Sequence, residues 1–109
     1  MENLRAIDIA AIKKLGFLPD EYVSWLYQHG WGEIGQARYM LYSASIPLTE
    51  FNADAPSHLW AFGDDFSGVS GCSSSNGDAT VYEWDSSVSQ ALPTHKRFQE
   101  FLATYDPAL

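Results

Sequence analysis

Residues 30–35, Gly30-Trp31-Gly32-Glu33-Ile34-Gly35, match the GxGxxG pattern of a dinucleotide loop. Such a loop follows a strand and opens a helix, so that backbone N–H groups meet a pyrophosphate. Here the glycines follow a helical stretch, no helix pattern follows them, and Glu33 would repel phosphate. The plainer reading is a helix stop and a flexible turn that displays Trp31 as an exposed aromatic. Asp64-Asp65-Phe66-Ser67-Gly68 sets two carboxylates before a turn. Paired carboxylates serve acid–base chemistry or hold calcium. The segment lacks the alternate acids and later glutamate of a calcium loop, so turn chemistry is the reading for Asp65, with Asp64 left open. Gly68-Val69-Ser70-Gly71 lacks the final spacing of a nucleophile elbow. His29, His58 and His95 have no histidine or cysteine neighbour at metal-ligand spacing. No catalytic residue, metal or cofactor is expected.

The elements that must carry these residues follow from periodicity. Leu4, Ile7, Ala11, Ile12 and Leu15 make one stripe, which predicts a helix over 2–15 with Gly16 in the left-handed position past its end. Leu18-Pro19-Asp20-Glu21 starts a second helix, with Tyr22, Trp25, Leu26 and His29 along one side and Gly30 as its stop. Residues 36–64 read as strands and connections: a strand over 37–42, an ambiguous 46–51 in which Pro47 argues against a central strand, a polar loop over 52–57, and a buried strand over 59–62 closed by Gly63. Asn76-Gly77 suits a type I′ hairpin turn. That turn would pair Cys72 with Val81, Ser70 with Glu83 and Val69 with Trp84. Val69, Tyr82 and Trp84 would then share a core face, and Ser70, Cys72, Val81, Glu83 and Asp85 an acidic one. Pro93 to Tyr105 reads as a closing helix with Phe98, Phe101, Leu102 and Tyr105 as its stripe, ended by Asp106-Pro107.

Charge separates the partner classes. The 109 residues hold 14 acids and six bases, a formal net charge of −8. Residues 20–94 contain ten of those acids and one base, Arg38, so the excess belongs to the middle of the chain. Nucleic-acid backbones need cationic surfaces, which this middle does not offer. Ordinary solubility is the plain reading of such a charge. No apolar run approaches the roughly 18 residues of a membrane span. The N-terminus lacks the features of a signal peptide, and Cys72 is the single cysteine. These features predict a cytoplasmic protein of one domain, 1–109, with no membrane partner.

The order of signals resembles the SUKH superfamily, the Smi/Knr-type domain of bacterial immunity proteins and fungal cell-wall-assembly regulators. The resemblance rests on Leu18-Pro19-Asp20-Glu21-Tyr22, Trp25-Leu26, the glycine-rich turn, Phe62-Gly63-Asp64-Asp65 with Ser67-Gly68, Val81-Tyr82-Glu83-Trp84-Asp85, and Phe98-Gln99-Glu100-Phe101-Leu102. It spans about Leu15 to Tyr105. The chain departs from the family pattern at Gly30-Trp31-Gly32-Glu33 and over Cys72 to Ser75. The resemblance implies a single α+β domain with a mixed or mostly antiparallel sheet packed by helices, and no enzymatic activity. It implies an immunity protein that neutralises a toxin domain, such as a nuclease or deaminase. An acidic surface of Trp31, Glu33, Asp64, Glu83 and Asp85 would meet the toxin's basic surface, the protein being a monomer or weak homodimer. The rival expectations are a peptide- or protein-binding scaffold module and a small hydrolase using Asp64 with Asp65 or Glu83.

Overall fold

The computed structural model describes residues 4–108. Helix α1 (Ile9–Lys13) and helix α2 (Asp20–His29) precede strands β1 (Gly32–Ile34) and β2 (Tyr39–Pro47), a single 3-10 turn (Leu48–Glu50), β3 (Leu59–Asp64), β4 (Val69–Ser74), β5 (Tyr82–Asp85), β6 (Gln90–Pro93) and helix α3 (Phe98–Ala103). The six strands form one sheet in chain order, β1 to β6, and every neighbouring pair is antiparallel. This is an α+β fold whose sheet is antiparallel throughout. No helix among the described residues is long and apolar enough to cross a membrane.

The helices cover one face of the sheet. Tyr22, Leu26, Leu41, Phe62, Phe101 and Leu102 form the centre of that core, with aromatic rings meeting edge to face. A smaller cluster of Leu48, Ala55, Leu59, Ala61, Cys72 and Trp84 covers part of the outer face. Glu21 joins α2 to α3: its carboxylate accepts from the Gln99 backbone N–H at 2.8 Å and from Arg97 Nε at 3.0 Å.

Six expectations are corrected. The first helix is five residues long, because Asp8 caps it (its Oδ1 accepts from the Ala10 N–H at 2.9 Å) and Arg5 is drawn into a backbone bridge with Trp31. Its expected start at residues 2 and 3 lies outside the described residues. Gly16 is not left-handed; it sits in a turn whose N–H reaches Lys13 O. The glycine stretch is not a flexible turn, since Gly32–Ile34 form β1. The last helix begins at Phe98, not Pro93, because residues 90–93 pair with β5 and the backbones of Thr94 and Lys96 bond to Val81. Pro47 does end a central strand; β1 pairs only with Tyr39 to Leu41, so no neighbour on that side needs the missing N–H.

The sixth decides where the acids point. Gly77 has φ +94° but Asn76 does not have positive φ, so no type I′ turn forms. A longer loop, 75–81, replaces it. Asn76 Oδ1 accepts the Asp78 N–H and Asp78 Oδ1 the Thr80 N–H, while Tyr82 OH donates to Asp78 Oδ2 at 2.6 Å. The register therefore slips by one: Cys72 pairs with Tyr82, Ser70 with Trp84, and Val69 with Asp85. A one-residue slip reverses the face on which each partner lies. Ser70 and Cys72 join Tyr82 and Trp84 on the outer face, and Val69 joins Glu83 and Asp85 on the helix side.

Candidate functional site

An antiparallel meander sends alternate turns to the same end of the sheet. The β1–β2, β3–β4 and β5–β6 turns therefore emerge together, and acids gather among them. Asp64 closes β3. A bulge between Ala61 and Gly63 re-aims the strand, so that Asp64 faces outward beside Met40 and Ser70 rather than toward the helices. Its Oδ1 accepts the Phe66 N–H at 2.8 Å and its Oδ2 the Tyr42 hydroxyl at 2.6 Å. Burial and this bond to the carboxylate hold the Tyr42 hydroxyl well above its ordinary range.

Asp65 builds the β3–β4 turn, as its sequence context predicts. One oxygen accepts from the Ser67 N–H and hydroxyl and from the Val69 N–H, at 2.8–3.2 Å. Slight burial pushes the carboxyl up, but these bonds outweigh it and hold it below the usual range. Asp85 does the same for the β5–β6 turn, where bonds from the Ser87 hydroxyl and N–H lower its carboxyl. The two turns are tied together by Ser86, whose N–H and hydroxyl both donate to Gly68 O.

Glu83 lies on the helix side, opposite Gly71. A Cβ on Gly71 would stand 2.2 Å from Tyr39 OH and 2.7 Å from the Phe62 ring, so glycine is required for those rings to cross the strand. Partial burial raises the Glu83 carboxyl above its ordinary range, the charge of Asp65 adds to this, and Lys96 partly offsets it. Burial also raises the Tyr105 hydroxyl, with Glu83 and Asp65 adding to it. Asp65 thus acts electrostatically on Glu83, Asp85 and Tyr105 alike.

Two apolar side chains project among these acids. Phe66 is 54% exposed and held at φ +66°, a backbone region costly for a bulky residue. Val88, on the adjoining turn, is 59% exposed. Sequence reasoning did not single out either residue. The available signal was an aromatic embedded in Asp-Asp-Phe-Ser-Gly, where the turn leaves it no strand neighbour to pack against.

The five residues expected to form one surface divide. Glu33 and Asp64 lie in one outward row through Met40, about 10 Å apart by strand spacing. Glu83 and Asp85 lie on the helix side. Trp31 precedes β1, far from the turns at the other end of that strand. It is half-buried, bridged to Arg5 through both backbone bonds, with the guanidinium 5.3 Å from its ring centre. The convergence is therefore at an end of the sheet, not on a face. Asp64 and Glu83 point to opposite faces and cannot flank one bond.

Two concavities flank β1. A cleft of about 290 Å³ is lined by Arg5, Trp31, Gly32, Glu33 and Met40. A larger one, about 620 Å³, runs between residues 33–38 and 105–108 and holds Arg38, Tyr105 and Asp106. Among the described residues no three His, Cys, Asp or Glu side chains form a metal-holding group. Cys72 is buried, which pushes its thiol up to about 12. Comparison with family models, curated proteins and solved structures returned no match.

Proposed function

We propose that this chain is a non-catalytic protein-binding domain of the immunity type, which neutralises a toxin domain with a basic surface. The observation that supports the reading is the gathering of Asp64, Asp65, Glu83 and Asp85 around exposed Phe66 and Val88 at the turn end of the sheet. Acids so placed steer a cationic partner and raise its association rate. Phe66 offers an aromatic anchor of the kind on which affinity depends. Glu33 extends the acidic zone along the outer face, and Trp31 falls outside it. The resemblance to the SUKH superfamily supports the same reading and implies no catalytic role.

The test begins with affinity capture from the native host and identification of the bound protein, followed by kinetics with purified partners. Charge reversal at Glu83 and Asp85 together is expected to lower the association rate at least about tenfold and flatten its salt dependence. An unchanged affinity and salt slope would refute the surface. A peptide-binding scaffold is the second reading, favoured by the cleft beside Arg38 and Tyr105. Capture of a short linear segment, with Arg38→Ala abolishing it, would support that reading instead.

A further inference from the structure

We infer that two copies of this chain associate through strand β6, antiparallel about a two-fold axis at Ala91. This inference does not depend on the toxin reading, although β6 adjoins the turn end on which that reading rests.

Strand β6 pairs with β5 on one side, and among the described residues nothing pairs with its other side. At the opposite edge of the sheet, the backbone just before β1 is engaged by Arg5. The polarity of the open edge follows from one bond. Thr94 N–H donates to Val81 O at 2.9 Å, in the register that pairs Tyr82 with Pro93. Antiparallel pairs alternate between bonded and non-bonded. Gln90 and Leu92 therefore turn their backbone groups toward β5, while Ala91 turns both N–H and C=O outward. Pro93 also faces outward and has no N–H to offer. Placing Ala91 opposite its own copy uses both outward groups of each chain and asks nothing of the proline nitrogen.

Charge and apolar surface favour a second copy as the occupant. The chain is strongly acidic, so most of its surface repels itself. Residues 86–99 contain no acid and include Lys96, whose ammonium has only the Thr104 hydroxyl as a side-chain partner among the described residues, while Arg97 is paired with Glu21. A two-fold antiparallel arrangement brings the Lys96 end of each copy to the turn end of the other, where Asp65 and Asp85 lie. Leu92, 60% exposed on the helix side, would stand opposite Gln90 of the second copy and diagonal to its Leu92. The pairing joins the two sheets into one.

The edge is short and Pro93 blunts it, so the dimer is weak, with dissociation on the order of 100 µM. Sedimentation velocity of the full chain from about 10 µM to about 1 mM should show a rise toward dimer, and added salt should weaken it. Amide exchange identifies the edge: Ala91 should exchange freely in dilute protein and become protected at high concentration, while Leu92 is protected throughout. Ala91→Pro removes the outward donor, spares every bond to β5, and should abolish the dimer. If that variant fails to fold, Leu92→Lys, at an exposed position, should weaken association at least tenfold. A monomer at all concentrations overturns the inference. So does a dimer in which Ala91 gains no protection, or one that Leu92→Lys leaves intact.

Discussion

Two buried tyrosines give a sharp test of the core, because the same substitution should move stability in opposite directions. Tyr22 and Tyr39 are both essentially inaccessible. Burial pushes the Tyr22 hydroxyl up to about 12 and the Tyr39 hydroxyl well above its ordinary range, so both are neutral at pH 7. Tyr22 OH accepts a bond from Ser45 Oγ at 2.7 Å. Tyr39 OH lies against the Gly71 backbone without hydrogen-bond geometry and has no partner among the described residues. In the unfolded chain both hydroxyls bond to water. Tyr22→Phe leaves the Ser45 hydroxyl buried and unpaired, a loss of about 1–3 kcal/mol. Tyr39→Phe removes a polar atom whose burial is uncompensated and leaves a gap of only one oxygen, a gain of about 1 kcal/mol. For a chain of this size that separates the two melting temperatures by roughly 8 °C or more. Urea unfolding followed by tryptophan fluorescence measures both changes, provided the slope m is the same. If Tyr39→Phe destabilises as much as Tyr22→Phe, the Tyr39 hydroxyl is bonded in solution and the reasoning fails.

Glu83→Gln should raise stability at pH 7, by less than about 1 kcal/mol because water still reaches the group. The folded carboxyl is raised above its ordinary value of about 4.5, so ionisation opposes folding at neutral pH. The gain should fade as pH falls through the folded value and vanish below about 4.5, which melting curves across pH 3–8 would check. Gly30→Ala should cost more than about 3 kcal/mol, since Gly30 has φ +92° and a Cβ would stand 1.9 Å from Arg5 O. Gly77→Ala, at φ +94° but in open space, should cost only about 1 kcal/mol, and comparing their denaturation midpoints separates clash from backbone strain. Asp65→Ala should free the Ser67 and Val69 amides and speed their hydrogen exchange at least tenfold, with Asp65→Asn, which keeps the acceptor, close to the parent.

The α2 stripe of Tyr22, Trp25 and Leu26, its stop at Gly30, the buried segment 59–62 and the Phe98–Leu102 stripe were all legible in the chain. Each depends on neighbours in sequence: spacing on one helix, a glycine at positive φ, or a short apolar run. The turn role of Asp65 was legible for the same reason, since its acceptors' donors lie two and four residues away. The strands at the two edges of the sheet were not. Gly32–Ile34 and Gln90–Pro93 are too short for a period to emerge, and pairing alone makes them strands. Position of the acids also escaped, because it depends on register. A loop capped by Asn76 and Asp78 in place of a two-residue turn moved β5 by one residue, and the bulge at β3 turned Asp64 outward. The sequence by itself determined that the protein is acidic, that its excess charge lies in residues 20–94, and that helices flank a strand-rich middle. Only the tertiary structure decided that the acids meet at the turn end of an antiparallel sheet, because strand order, register and bulges set where side chains separated in the chain come together.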